Sequence, residues 1–249
     1  APDGEAVDLS IVIPAYEEAG RLPASLEAIS RYHRSLSRPL SLEVIVVDDG
    51  STDGTSAAAE NAARALGLPC RVISLARNQG KGSAVRAGVL GARGTHVLVS
   101  DADFSTPIAE WEKLCAAGSP VAIGSRAVAG SRITQKQPLF RVLSGRLFNR
   151  CVRAFVISGI ADTQCGFKLF TRAAARDVFT RTRVDRFAYD VESLLIAQRL
   201  GYAIAEVPVL WINSPDSRVS LGGGLQAFVE LLRIRSRVDR ALRAETPRG

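Results

Sequence analysis

The sequence predicts an α/β fold of three layers, α/β/α, built around a mostly parallel central sheet. Short apolar runs alternate with stretches of helical periodicity through the first half of the 249 residues. Runs that are apolar throughout are typical of parallel strands buried on both faces, and right-handed crossovers place helices on both sides of them. No internal repeat or long linker divides the chain, so we expect residues 1–249 to form one domain.

The elements are predicted in the following order. Five apolar runs of the first half are the strands, at residues 9–13, 42–47, 70–75, 95–100 and 120–123. The four stretches between them carry helical periodicity, at 18–36, 55–66, 81–93 and 107–116. The second half is less regular, and its predicted elements are helices at 139–157, 171–179 and 189–200, a strand at 203–210 and a basic helix within 222–243.

The composition provides for a sizeable core and a basic surface. Hydrophobic residues make up 47% of the chain, and 28 Arg and 4 Lys against 25 acids give a net charge of +7. A basic surplus of this kind indicates anionic partners such as nucleotides, phospholipids or nucleic acids. Aromatic residues are only 6% of the chain and rarely alternate with Arg, which argues against a nucleic-acid partner.

The sequence predicts no transmembrane helix, no secretory signal peptide and no cysteine-based metal site. No stretch approaches 18 consecutive apolar residues, so the sequence predicts no transmembrane helix. The first five residues, APDGE, are acidic and polar, unlike the start of a secretory signal peptide. The four cysteines are far apart, with no C-x-x-C pair, so we expect free thiols in a reducing cytosol and no cysteine-based metal site.

Acidic residues follow three of the predicted strands. The first strand runs into residues 14–18 (PAYEE), the second into 48–54 (DDGSTDG) and the fourth into 101–103 (DAD). The carboxyl ends of parallel strands lie at one edge of the sheet, where ligands of open α/β sheets bind. One such motif is also ordinary turn chemistry, and Asp53 is better explained as a helix cap. Three together would repel one another without a cation or a ligand, so we expect them to converge on one cation.

These acids indicate an enzyme that acts on a nucleotide-activated substrate. Two carboxylates two residues apart at a strand end, as in Asp101 and Asp103, can hold a divalent cation, which in turn can hold a diphosphate. The residues after the first strand lack the G-x-G-x-x-G of dinucleotide-binding domains, which argues against that kind of fold.

Four motifs together resemble the inverting family 2 glycosyltransferases, which have the GT-A fold. They are residues 13–18 (IPAYEE), 47–53 (VDDGSTD), 78–82 (NQGKG) and 101–103 (DAD). A later segment, 162–170 (DTQCGFKLF), is similar to that of the dolichyl-phosphate β-glucosyltransferases, which are close to the dolichyl-phosphate mannose synthases. The resemblance extends over residues 9–232 and implies a Rossmann-like GT-A domain.

The resemblance implies a donor site for a nucleotide sugar at the strand ends. Its expected residues are Pro14, Tyr16, Glu18, Val47, Asp49, Lys81, Asp101, Ala102, Asp103 and Arg218. The first three would line the nucleobase pocket, and Val47 and Asp49 would hold the base and the ribose. Asp101 and Asp103 would also bind Mg²⁺ or Mn²⁺, because hard cations prefer carboxylate oxygen. Lys81 starts a helix after a Gly-rich turn and is expected near the phosphates, although solvation at the surface is an alternative.

A basic segment near residues 126–160 is expected to face the acceptor and the membrane. No acid occurs between Lys113 and Ala161. Apolar and basic positions of 139–157 fall on opposite sides of a helix, a pattern shared by helices on anionic membranes and helices packed on their own core. The resemblance implies a polyprenyl or dolichyl phosphate as acceptor, with Arg126, Arg141 and Ser144 as candidates for binding its phosphate. The arginines of the last helix, 222–243, would add membrane attraction.

The resemblance thus implies transfer of glucose from UDP-glucose to the lipid phosphate, with inversion, at the cytoplasmic face of a membrane. Arg126 is expected to act on donor or acceptor phosphates. A phosphate acceptor is already ionised near neutral pH, so a strong general base is not obligatory. If a carboxylate assists, Asp162 is the first candidate and Asp190 the second. Asp162 is equally explained as a turn cap, and Asp190 as a partner of Arg186.

Three alternatives stay open at this stage. They are a mannosyltransferase that uses GDP-mannose, a family 2 enzyme with a soluble sugar acceptor, and a non-catalytic protein that binds membranes or nucleic acid. Arg218 stands where the mannose synthases are expected to have Lys, and an Arg before that position is missing, which favours glucose. The full set of donor-site acids argues against the non-catalytic class.

Overall fold

The computed structural model of the protein describes residues 7–134, 150, 152, 155–212 and 223–245. The predicted helix at 139–157 lies mostly outside the described residues. Three of the predicted site residues also lie outside them, namely Arg141, Ser144 and Arg218.

A seven-stranded sheet forms the centre of the molecule. Its strands are β1 (Leu9–Ala15), β2 (Leu42–Asp48), β3 (Cys70–Ser74), β4 (His96–Val99), β5 (Val121–Ser125), β7 (Lys168–Thr171) and β8 (Ile204–Pro208). The order across the sheet is β3-β2-β1-β4-β7-β5-β8. All neighbours are parallel except β7, which is antiparallel to both β4 and β5. The predicted mostly parallel sheet is confirmed.

Helices cover both faces of this sheet. They are α1 (Leu22–Ser35), α2 (Thr55–Leu66), α3 (Lys81–Gly91), α4 (Trp111–Ala116), α5 (Arg172–Phe179), α6 (Tyr189–Arg199) and α7 (Gly223–Glu245). Side chains alternate across each strand, so that Ile11 and Ile13 of β1 pack with α1, α2 and α4, whereas Val12 packs with α3, α5, α6 and α7. The two hydrophobic cores lie on opposite faces, which gives the three layers expected from the sequence.

Two details of the second half differ from the sequence prediction. The predicted strand at 203–210 is divided between β8 in the main sheet and β9 (Leu210–Trp211), which pairs with β6 (Arg132–Ile133) in a separate small sheet. Strand β7 was not predicted at all, because four residues, KLFT, are too short to show a period and begin with a charged lysine. This strand separates β4 from β5, so the segments that follow those two strands lie on either side of it.

The described helices include none that is both long and apolar enough to cross a bilayer. The predicted basic helix at the end of the chain is present as α7, which buries Leu231, Ile234 and Val238 and exposes arginines.

Candidate active site

The loops after β1 and β2 are joined at the carboxyl edge of the sheet. The Glu17 amide donates to Ser51 Oγ at 2.9 Å, and Glu17 Oε1 accepts the Thr52 amide at 2.8 Å. Glu17 has φ of +56°, a strained conformation for a non-glycine residue that these hydrogen bonds hold in place. The two acidic segments thus form one continuous rim, as the parallel register of Ala15 with Asp48 requires.

Asp49 holds the turn that precedes α3. Its carboxylate is buried and accepts the amides of Gln79 and Gly80, each at 2.8 Å. Gly80 has φ of +108°, and a Cβ there would lie 2.4 Å from the Asp185 carbonyl oxygen, so only glycine fits. Asp49 therefore fixes the start of α3 and places Lys81 beside the end of β4.

The Asp101-Ala102-Asp103 segment lies across from Lys81. The Lys81 ammonium is 2.6 Å from Asp101 Oδ1, and its Nζ lies 5.8 Å from the centroid of the Tyr189 ring. A Cβ at Gly166 would lie 2.2 Å from Asp101 Oδ2, so the carboxylate rests directly on the backbone of the segment before β7. Burial by itself would raise the pKa of Asp101, but the charge of Lys81 outweighs burial and lowers that pKa.

Asp101 and Asp103 fit a hard divalent cation. Asp103 Oδ1 accepts the Ser105 amide at 3.0 Å, which orients the carboxylate at the same edge. Asp101 Oδ1 is buried and makes no hydrogen bond of good geometry, although Lys81 is in ionic contact with it. Carboxylate oxygens of this kind are the ligands that Mg²⁺ and Mn²⁺ prefer.

The expectation that acids from three strand ends surround one cation is wrong within the part of the chain that the structure describes. Glu18 forms a bidentate ion pair with Arg21 at 2.5 and 2.6 Å, and Asp49 is bound to backbone amides. Among the described residues, no group of three or more His, Cys, Asp or Glu is placed to hold a metal. Arg21 and two backbone amides occupy Glu18 and Asp49. Asp101 is also paired, with Lys81, but it lies two residues from Asp103 at the same strand end, so these two carboxylates are the candidate ligands.

Arg126 stands on the other side of β7, after β5. Its guanidinium forms a two-pronged ion pair with the buried Asp162, Nε to Oδ2 at 2.7 Å and Nη2 to Oδ1 at 2.9 Å. Burial would raise the pKa of Asp162, but the hydrogen bond and charge of Arg126 outweigh it and lower that pKa. A carboxylate held ionised in this way is a poor general base, so the geometry favours a positioning role for Asp162.

A second buried ion pair lies beneath the site. Lys168, which is 2% exposed, donates to the Asp190 carboxylate and to the Cys165 carbonyl, the latter at 2.6 Å. Asp190 therefore pairs with Lys168 and not with Arg186, which was the partner suggested from the sequence. Lys168 faces Val99 of β4 and Ile123 of β5, so its charge lies just below both strand ends. Its position between Phe167 and Leu169 was the signal in the sequence, since a lysine inside an apolar strand must have a buried partner.

Comparison with known proteins identifies the family. Residues 10–179 match the family model described as Glycosyl transferase family 2. The chain belongs to glycosyltransferase family 2. The resemblance drawn from the strand-end motifs is thereby confirmed, and the non-catalytic alternative is excluded.

Curated relatives narrow the position of this glycosyltransferase within the family. The dolichyl-phosphate β-glucosyltransferase of Homo sapiens is 40% identical, over 94% of this chain and 77% of the relative. The enzyme of the same name from Drosophila melanogaster is 38% identical, over 88% of this chain and 71% of the relative. The branch indicated by residues 162–170 is therefore the one to which these relatives belong.

Solved structures of other glycosyltransferases share the fold. Mannosyl-3-phosphoglycerate synthase from Rubrobacter xylanophilus has a TM-score of 0.69 at 19% identity, over 98% of this chain and 77% of its own. Glucosyl-3-phosphoglycerate synthase from Mycobacterium tuberculosis, in complex with Mn²⁺, UDP-glucose and phosphoglyceric acid, has a TM-score of 0.66 at 20% identity, over 94% and 80%. These likenesses establish the fold, and the prediction of a GT-A architecture is confirmed.

The remaining predicted site residues of the glycosyltransferase lie at the same edge but differ in exposure. Tyr16 is 45% exposed and free to contact a ligand face, and Ala102 is buried behind its two acids. Pro14 is buried in β1, and the Val47 side chain is entirely enclosed beneath α3. Any contact of Val47 with a base or a ribose must therefore come from its backbone.

Proposed function

We propose that this glycosyltransferase moves glucose from UDP-glucose to a polyprenyl or dolichyl phosphate, with inversion at the anomeric carbon. The observation that carries the proposal is the placement of two unlike groups on either side of β7. A carboxylate pair with Lys81 lies at the end of β4, and a fixed arginine fork lies just after β5. The carboxylates, through a cation, and Lys81 suit the diphosphate of a nucleotide sugar. The Arg126 guanidinium suits the phosphate of the acceptor. The names of the relatives at 38–40% identity support the same substrates.

The donor would bind along the rim formed by the loops after β1, β2 and β4. Tyr16 offers an exposed ring to the base, and Asp49 holds the loop that closes this end. Lys81 would lie beside the diphosphate, since Asp101 already draws its ammonium towards the strand end. Asp101 and Asp103 would hold Mg²⁺ or Mn²⁺, which when bound neutralises charge on the departing diphosphate. The M. tuberculosis neighbour, whose complex holds Mn²⁺ and UDP-glucose, supports this assignment.

The acceptor would bind beside Arg126, whose side chain keeps 28% of its surface exposed. A phosphate monoester carries its own negative oxygen near pH 7, so it can attack without a strong general base. Asp162 and Asp190 are both buried carboxylates in ion pairs, and we assign them to positioning Arg126 and Lys168. The free guanidinium edge would draw the acceptor phosphate towards the sugar.

We further propose that the chain works as a peripheral protein at the cytoplasmic face of a membrane, where its lipid acceptor lies. Arginines of α7 support this placement, because those at 233, 235, 237, 240 and 243 are all exposed. Basic side chains near an anionic bilayer are attracted by about 1 kcal/mol each.

A partition assay tests the proposed reaction. Radiolabelled UDP-glucose or GDP-mannose is incubated with a short polyprenyl phosphate and Mg²⁺ or Mn²⁺, and label in the organic phase is counted. We expect label from UDP-glucose only, and its loss in excess chelator. Transfer from GDP-mannose alone would establish the mannosyltransferase alternative, and label confined to water-soluble sugar products would establish a soluble acceptor.

A further inference from the structure

The Arg126 side chain is held from two directions. Asp162 binds its guanidinium with two prongs and also accepts the Arg126 amide at 3.0 Å. The Trp211 ring lies against the same group, with Arg126 Cζ 5.5 Å from the ring centroid, within the range of a cation–π contact. An arginine left free at the surface would sample many rotamers, so these contacts fix the direction in which its open edge points.

Asp162 is itself fixed by a residue of the neighbouring strand. Glu206 of β8 accepts the Ala161 amide at 2.7 Å and the Asp162 amide at 2.9 Å, one on each carboxylate oxygen. Because Glu206 lies opposite Ile123 in the parallel pair of β8 with β5, the support comes from the same strand pair that leads to Arg126. The chain of contacts runs from Glu206 through Asp162 to the guanidinium.

The backbone of Trp211 is held in a small sheet. Its carbonyl accepts the Thr134 amide at 3.1 Å, and the Arg132 amide donates to Val209 at 3.1 Å, which closes the small sheet. The next residue, Ile212, donates its amide to the Ser105 carbonyl at 2.7 Å. Strand β9 therefore bridges the loop that carries Asp103 and the side chain of Arg126.

We propose that Trp211 and Glu206 are positioning residues of the acceptor subsite. Trp211 holds the guanidinium through its ring face, and Glu206 holds it through Asp162, so that the open edge of Arg126 meets the acceptor phosphate. Neither residue touches the reacting atoms. The inference rests on the proposed function, since it takes the ligand of Arg126 to be the phosphate of the lipid acceptor.

Steady-state kinetics with matched variants test this proposal. Trp211→Leu removes the ring face, Trp211→Phe keeps a weaker one, and Glu206→Gln keeps one of two acceptor oxygens. For Trp211→Leu we expect the acceptor KM to rise roughly 3- to 30-fold, with the KM for UDP-glucose within about twofold of wild type. The acceptor KM of Trp211→Phe should lie between those of wild type and Trp211→Leu. Glu206→Gln should also raise the acceptor KM and leave the KM for UDP-glucose nearly unchanged.

The matched control is Trp111→Phe. Trp111 packs towards α1, where its Nε1 donates to the Tyr32 hydroxyl at 2.6 Å, so this change removes an indole that is not the ring paired with Arg126. Its KM values should equal those of wild type. An unchanged acceptor KM in Trp211→Leu, or an equal rise in both KM values, would overturn the proposal.

A double-mutant cycle asks whether Trp211 acts through Arg126. Arg126→Lys keeps a positive partner for Asp162 and so protects the fold, while it loses the planar fork. In that background we expect Trp211→Leu to raise the acceptor KM much less than it does in wild type. Fully additive effects would mean that Trp211 contributes independently of Arg126, and would reject the positioning role.

Fluorescence provides a readout that does not depend on turnover. The chain has two tryptophans, so Trp111→Phe leaves Trp211 as the single indole. Titration with a short polyprenyl phosphate should change its emission with saturation, whereas the matching polyprenol should not. Equal responses to the two lipids, or no response in an active enzyme, would count against the proposal. If wild type transfers no label to the lipid, the proposed function fails instead, so the two failures are distinct.

Discussion

Asp103 illustrates how one carboxylate at this edge differs from its neighbours. Glu18 is paired with Arg21, and Asp49 accepts two backbone amides, whereas Asp103 accepts only the Ser105 amide among the described residues. It therefore stays a candidate ligand for the proposed cation. The sequence predicted all these acids as site residues, but it could not show which of them a local partner would occupy.

We expect Asp103→Asn to lower turnover by at least about 100-fold with unchanged thermal stability, because Asn still accepts the Ser105 amide but binds a divalent cation poorly. Asp53→Asn is the matched control, since Asp53 accepts the Thr55 amide in the same i, i+2 arrangement at 3.0 Å. The measurement is label transfer beside a thermal melt. Near-normal turnover of Asp103→Asn would contradict the metal assignment.

Lys168 shows the opposite situation, a charge with no access to solvent. Lys168→Met leaves the Asp190 carboxylate buried without its partner, so we expect unfolding free energy to fall by about 3–5 kcal/mol. Lys113→Met is the control, because Lys113 pairs with Glu110 at 2.7 Å but is 55% exposed and should contribute at most about 1 kcal/mol. Urea unfolding compares the two. Similar losses in both variants would show that burial of the first pair has no special cost.

At the scale of elements, the sequence predicted the strands and helices whose periodicity extends over several residues. The long apolar runs predicted β1 and β2, and the polar motifs after them lie at the carboxyl edge of the sheet. Strand β7 was missed because its order comes from tertiary pairing on both sides and not from its own four residues. Gly166, which packs on Asp101, and Trp211, which packs on Arg126, were missed for the same reason.

At the end of the sheet opposite the candidate site, a buried carboxylate joins three segments of the chain. Its ionisation gives a prediction of how stability depends on pH. Glu43 of β2 accepts the Ser10 hydroxyl at 2.6 Å and the Arg93 amide at 2.7 Å, and thus ties β1, β2 and the residues after α3 together. Burial by itself would raise the pKa of Glu43, but the hydrogen bonds and the charges of Arg93 and Arg71 outweigh it and lower the pKa from 4.5.

A lowered pKa means that the ionised form stabilises the fold above about pH 4.5 and that this contribution is lost as pH falls through the folded pKa. We expect Glu43→Gln to reduce the unfolding free energy by about 1–3 kcal/mol at pH 7. The difference in unfolding free energy between wild type and Glu43→Gln should become smaller as pH is lowered from 5 towards 3. Urea unfolding at each pH measures it, and a gap that stays constant would refute the assignment.

At the scale of the whole molecule, the two faces of the sheet carry different surfaces. On one face α7 buries Leu231 and Ile234 and exposes five arginines, and on the other α1 buries Leu26 and Ile29. The sequence predicted the basic helix from its own pattern. The fold adds which side of the molecule it occupies, and the proposed membrane association takes this side to face the lipid.

That asymmetry makes membrane attraction testable with two variants of equal net charge. Replacing Arg233, Arg240 and Arg243 by Gln removes three charges from α7, and replacing Arg31, Arg34 and Arg38 by Gln removes three exposed charges from the opposite face. At about 1 kcal/mol per residue, the α7 variant should bind vesicles of anionic phospholipid roughly 100-fold more weakly, whereas the α1-side variant should lose far less. Sedimentation with vesicles measures both, and binding of wild type should weaken as salt is raised. Equal losses in the two variants would show that net charge, and not this face, determines membrane affinity.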